Sequence, residues 1–125
     1  MAKRRRPEQA VQRAVIEHLE VRGTPGAFWF HCPNGGFRTK IEGAIFKTLG
    51  VIPGIPDLII LHKGHLYGLE LKAHRNGPTE SQRATHALMR SAGATIETAN
   101  GIDQALQVLS GWGLLRGKVN IGDAQ

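Results

Sequence analysis

The stretch Gly54-Ile55-Pro56-Asp57-Leu58-Ile59-Ile60-Leu61, followed by Leu66-Tyr67-Gly68-Leu69-Glu70-Leu71-Lys72, decides how this chain is read. Two apolar runs flank Lys63-Gly64-His65, a composition suited to a hairpin turn. Alternate side chains of a strand share a face. Glu70 and Lys72 therefore project together, and Leu69 and Leu71 go to the other side. A hairpin centred on Gly64 sets Asp57 opposite residue 71, beside the Glu70–Lys72 pair. Three charges would then converge inside strands too apolar for an exposed edge. Buried charge costs several kcal/mol, roughly, unless it is paired or bound to metal. Two carboxylates side by side are relieved by a divalent cation, and hard oxygen donors suit Mg²⁺ or Mn²⁺. The plainer reading is an Asp at a strand start and a solvated cross-strand Glu–Lys pair, which the apolar surroundings disfavour.

Outward from the hairpin, the chain splits into alternating elements. Pro7 suits a helix start, and Glu8 in the first turn suits the helix dipole. Val11, Ala14, Val15, His18 and Leu19 recur at helical spacing, with Glu8 and Gln12 bordering that face. Gly23 and Pro25 end this helix. Ala27 to His31 reads as a short, buried aromatic strand, and Pro33-Asn34-Gly35-Gly36 as a turn. Ile41, Ala44, Ile45 and Leu49 form the stripe of a short helix that stops at Gly50. Beyond the hairpin, Thr79 with Gln82 forms a capping-box pattern, with Ala84, Ala87, Leu88 and Ala92 as the buried side of the helix. Residues 94–99 read as a strand, and Ile102, Ala105, Leu106 and Leu109 as a last amphipathic helix. The order is helix, strand, short helix, strand, strand, helix, strand, helix. This predicts an α/β fold with a central mixed β-sheet flanked by helices.

At 125 residues the chain fits one domain. We divide it into a basic N-terminal arm (1–6), a body (7–110) and a C-terminal tail (111–125). No apolar run approaches membrane-span length, and the basic amino end is followed by no secretory core. A single Cys32 excludes an internal disulfide and a cysteine-built zinc site, which suits the cytoplasm. Sixteen Lys and Arg against ten Asp and Glu give a net charge of +6, favouring a polyanionic partner. Lys3, Arg4, Arg5 and Arg6 are either a solvated tail or an arm on phosphates. Asn34, Arg38 and Lys40 surround a Gly-rich turn that suits a phosphate backbone or a plain surface loop. His31 lies near the site, where a structural role is the commoner one.

At Pro56-Asp57 and Glu70-Leu71-Lys72 the sequence resembles the PD-(D/E)XK nucleases. The ordered set Glu8 to Gln12, Asn34-Gly35, Gly54-Ile55-Pro56-Asp57, Glu70-Leu71-Lys72 and Gln82 is similar to one branch, the VRR-NUC domain. The resemblance spans about residues 7 to 110 and implies a restriction-endonuclease-like fold and a metal-dependent nuclease. It implies metal ligation by Asp57, Glu70, the backbone carbonyl of Leu71 and Glu8. It also implies that Lys72 orients or activates water, with Gln82 turned toward Lys72 in support. Mg²⁺ is the implied cofactor, with Mn²⁺ as a substitute and no organic cofactor. Stand-alone domains of this kind resemble Holliday-junction resolvases, which implies branched DNA as substrate and a homodimer. A flap or duplex nuclease, and a non-catalytic DNA-binding module, are the alternatives.

Overall fold

The structure, a computed structural model, describes residues 2–33, 39–73 and 77–117, with side chains from residue 7 onward. Its elements are α1 (Ala2–Arg22), β1 (Phe28–His31), α2 (Lys40–Thr48), β2 (Leu58–His62), β3 (His65–Lys72), α3 (Glu80–Ser91), β4 (Thr95–Asn100) and α4 (Gly101–Gly111). The strands form one sheet in the order β1-β2-β3-β4. β1 with β2 and β2 with β3 pair antiparallel, and β4 is parallel to β3 through the α3 crossover. The mixed α/β sheet and the element order agree with the sequence expectation.

The core lies on one face of the sheet. Leu58, Ile60, Leu69, Leu71 and Ala99 meet Val11, Val15 and Leu19 of α1 and Ala105, Leu106 and Leu109 of α4. Period-two and period-3.6 apolar patterns thus pack against each other, as their sequence spacing dictates. Leu114 and Leu115 complete this cluster. The Thr24 amide donates to the Leu114 carbonyl at 3.0 Å, and Leu115 bridges to Gly23. The segment after Gly111 is thus packed on the body through Leu114 and Leu115.

The opposite face carries Ile59, Gly68, Glu70, Lys72 and Ile96, with α3 against it. Gly68 has no room for a side chain: an added Cβ would lie 2.7 Å from Ile96 Cδ1 and 2.8 Å from Pro56 Cγ.

Four local expectations are corrected. The hairpin turn is the two residues Lys63-Gly64, both with positive φ (51° and 77°), flanked by the pair His62 and His65. A two-residue turn with both φ angles positive matches strand twist better than a three-residue turn centred on Gly64. Leu58 consequently pairs with Leu69, which brings Asp57 level with Glu70 instead of residue 71. α1 starts at Ala2, with Pro7 inside it rather than at its start. Ala, Lys and Arg are good helix formers, and Pro7 removes one backbone bond near the end where few are made.

β1 is an edge strand and not a buried one: Phe28 and Phe30 are 62% and 42% exposed. On α3 the buried residues are Thr85 and His86, whereas Ala84, Ala87, Leu88 and Ala92 are exposed. Polar partners across the helix, not apolar area, set its rotation. The Thr85 hydroxyl donates to the Pro53 carbonyl at 2.6 Å, and Gly54 packs against the first turn.

Candidate active site

The site is built where β2 begins and β3 ends. Asp57 sits just ahead of β2, and its Oδ2 accepts the Leu71 amide at 2.8 Å. That bond lets the carboxylate close the hairpin at the point where the ladder runs out. The Leu71 side chain itself lies in the core at 2% exposure. Glu70 is 3% exposed and Lys72 8%, on the α3 side of the sheet. Lys72 Nζ stands 3.8 Å from Glu70 Oε2. The solvated cross-strand pair is thereby excluded.

Gln82 satisfies both of its sequence readings at once. Thr79 Oγ1 accepts the Gln82 amide at 3.2 Å, and Gln82 Oε1 accepts the Thr79 amide at 2.8 Å. This capping box fixes the side-chain amide, since the oxygen must face the Thr79 N–H. Nε2 is then the atom that donates to Glu70 Oε2, at 2.9 Å. The partner is Glu70, not Lys72 as the sequence reading expected. The α3 N-terminus thus acts as a ruler that sets one oxygen of the buried glutamate.

The other oxygen meets a residue that sequence reading missed. His86, 2% exposed, directs Nε2 at Glu70 Oε1 across 3.9 Å. Neither atom has a hydrogen-bond partner. The Gly54 backbone works against the burial of the ring, favouring its charged form. The available signal was spacing: His86 lies four residues after Gln82, on the same face of α3.

Electrostatics follow from this crowding. Glu70 is pushed up to about 9 from the ordinary 4.5, first by burial, then by the charge of Asp57 and a hydrogen-bonding contact with it. Lys72 pulls the other way, and Glu8 adds a further upward push. Burial lowers His86, with Arg90 adding to the effect. Burial and Asp57 raise the Cys32 thiol. The Cys32 amide donates to the Asp57 carbonyl at 2.7 Å, and His31 Nδ1 contacts the same carbonyl at 2.9 Å.

Asp57, Glu70, Lys72 and Gln82 are therefore brought together, and the charge of Glu8, half-buried on α1, reaches them. Lys40 is exposed at the start of α2. Asn34 and Arg38 lie outside the described residues, as do the side chains of Lys3, Arg4, Arg5 and Arg6. Among the described residues no three His, Cys, Asp or Glu side chains are grouped around one point as a ready cage. The residues that could hold a cation are two adjacent carboxyls, Asp57 and Glu70, the second with a buried Oε1 that has no hydrogen-bond partner. Such a set suits a divalent ion that keeps water and substrate oxygens in its shell.

Fold and cluster together define a restriction-endonuclease-like α/β domain with its acids on the central hairpin. One solved structure, a "VRR_NUC domain protein", is similar at 26% identity with a TM-score of 0.69, covering 85% of this chain and 87% of its own. Another, a "VRR_NUC domain", is similar at 20% identity with a TM-score of 0.58, covering 83% and 95%. No family model and no curated protein matches the sequence. The first of these supports membership of the VRR-NUC family, and with it a nuclease-family domain, and the second shares the fold. No helix among the described residues is long and apolar enough to cross a membrane.

Proposed function

We propose that this protein is a metal-dependent, structure-selective DNA endonuclease that acts as a homodimer on branched DNA such as four-way junctions. The observation that carries the reading is the buried Glu70. One of its oxygens is set by Gln82 and Lys72, and the other has no hydrogen-bond partner, beside Asp57. In so dry and crowded a place the carboxyl holds its proton to about pH 9 unless a cation displaces it, and a cation-dependent reaction gives that arrangement a purpose. Asp57 and Glu70, with the Leu71 carbonyl and Glu8 as further oxygens, would hold Mg²⁺ (Mn²⁺ as a substitute). The ion would supply a polarised phosphate and a bound water of lowered pKa.

The protein's own contribution is placement and charge. Gln82 holds the Glu70 carboxylate still through the capping box, so little reorganisation is left for the reaction. Lys72 brings an ammonium to the acids, where it orients the attacking water and offsets charge growing on the phosphate oxygens. The water oxygen bonds to phosphorus as the bond to the 3′ oxygen breaks. The leaving oxygen takes a proton, giving a 5′-phosphate and a 3′-hydroxyl. The +6 charge favours the polyanion and lends the encounter a salt dependence.

The homodimer is supported by α2, which buries none of its residues. Ile41, Ile45 and Leu49 are 74%, 53% and 72% exposed on the helix stripe. Contiguous exposed apolar surface of this kind marks a protein interface. A two-fold axis suits paired nicks in a four-way junction.

The test is cleavage of a labelled four-way junction beside a flap and a linear duplex, with Mg²⁺, Mn²⁺ or chelator. Wild type, Asp57→Asn and Lys72→Ala are compared. Paired symmetric nicks in the junction alone, lost with chelator and in both variants, bear the proposal out. Cutting of flap or duplex instead removes the junction role but keeps the nuclease. Tight binding without cutting under any metal makes the chain a DNA-binding module.

A further inference from the structure

α2 is a nine-residue helix with no buried residue. Among the described residues no other helix or strand comes within 8 Å of it, Cα to Cα. A helix this short does not persist in water on propensity alone. Its capping box, Thr39 with Glu42, fixes where it starts but covers no apolar surface. Ile41, Ile45 and Leu49 lie four residues apart and form an exposed stripe about 12 Å long.

The same chain leaves a second apolar surface open. Phe28 of β1 pairs with Leu61 of β2, so both side chains share one face with Phe30. This is the α3 side of the sheet, but α3 lies against β4, at the opposite edge from β1. Leu61 is 40% exposed, beside the open Phe28 and Phe30. An apolar edge strand of this kind calls for cover by another element or another chain.

We propose that each α2 lays its Ile41–Ile45–Leu49 stripe on the Phe28–Phe30–Leu61 face of a second copy, in a reciprocal two-fold exchange. This rests on the homodimer of the reading above and names its surface. One chain carries both halves, an unpacked helix and an uncovered sheet. A second copy therefore satisfies both at once, and the pair closes with no face left over. Residues 41–52 together with β1 and β2 leave roughly 800 Å² of large apolar side chains open, which matches what one partner gives to a standard interface. The aliphatic stripe offers DNA neither charge nor a ring to stack on, so its complement is protein. Asp57 and Leu61 fall on one face of β2 by alternation. Each α2 then flanks the partner's Asp57, and the two sites are held at one spacing.

The experiment uses the full chain without DNA. By sedimentation, Leu61→Lys and Ile45→Lys, both at exposed positions, are each expected to raise the dimer dissociation constant about tenfold or more. In a Cys32→Ser background, Ile45→Cys and Leu61→Cys chains are mixed and mildly oxidised. A disulfide-linked dimer is expected from the mixture and not from either chain alone. Phe28→Cys in place of Leu61→Cys repeats the test one strand over. Linkage in Ile45→Cys alone, or a dimer insensitive to Leu61→Lys, sets α2 against α2; it overturns the exchange and leaves the homodimer standing. No linkage in either mixture also overturns it, and a disulfide within one chain carrying both cysteines would then close α2 on its own sheet. A monomeric wild type overturns the exchange and the homodimer together, and weaker DNA binding by Phe30→Ala would then assign the sheet face to bases. Mixed linkage without cleavage of any DNA keeps the exchange and removes the nuclease reading.

Discussion

Glu70 predicts an unusual dependence of stability on pH in the metal-free protein. Its carboxyl is pushed from 4.5 in the unfolded chain to about 9 in the fold. Between these values the folded state binds one proton more than the unfolded state. Stability from this group is therefore fully present below pH 4.5 and is lost as pH rises toward 9. Each pH unit in the window carries about 1.4 kcal/mol for a whole proton. The interval from pH 7 to pH 8 isolates the effect. His86 is lowered below its ordinary 6.5, so most of its contribution, of opposite sign, falls below pH 7. Cys32 is raised above 9.0, so it acts only at higher pH. Chelator-treated wild type is expected to lose roughly 1 kcal/mol from pH 7 to pH 8 by urea titration, or about 4 °C in melting temperature. Glu70→Gln retains an acceptor for Gln82 Nε2 and removes the proton, so its stability in this interval is expected to be flat. Saturating Mg²⁺ or Mn²⁺ binds the charged form, so the melting temperature it adds is expected to be larger at pH 8 than at pH 7. A flat wild type, or a Glu70→Gln profile with the wild-type slope, would refute the argument that burial and Asp57 hold the proton on Glu70.

Other perturbations separate architecture from chemistry. Gly54→Ala combines a φ of +88° with a Cβ 2.5 Å from the Ser81 oxygen; a loss of about 2 kcal/mol or more in urea unfolding is expected. Gly68→Ala meets Ile96 and Pro56 at under 3 Å and is expected to cost about 1–3 kcal/mol by the same assay. Gln82→Glu keeps an oxygen for the Thr79 amide, so melting temperature is expected to change little at pH 6. It sets a third acid beside Glu70, however, and junction cleavage is expected to fall at least tenfold. Ile45→Lys on α2 loses no core contact, so its urea midpoint is expected to stay within about 0.5 kcal/mol of wild type. Sedimentation is expected to show its dimer weakened.

Much of the site was legible because its residues obey local rules. Period two placed Glu70 and Lys72 on one face, and the Thr79–Gln82 spacing announced a capping box whose amide also reaches the sheet. The core stripes of α1 and α4 were equally plain, because apolar area decides their rotation. Reading failed where a nonlocal polar contact outweighed local pattern. α3 offers alanines and Leu88 as an apolar side, yet it turns Thr85 and His86 inward to meet the Pro53 carbonyl and Glu70. The register of the hairpin shifted by one for a related reason. Lys63 accepts a positive φ that composition does not advertise, and the shift sets Asp57 level with Glu70 rather than beside it. Both failures fall at the same carboxylate. Apolar burial specifies the α1–α4 face without reference to any ligand. The α3 face is specified by the Pro53 carbonyl, a capping amide and two unsatisfied atoms, an arrangement that apolar burial alone would not select. Disagreement between apolar pattern and observed burial is thus itself a pointer to the site, and on this chain it singles out His86.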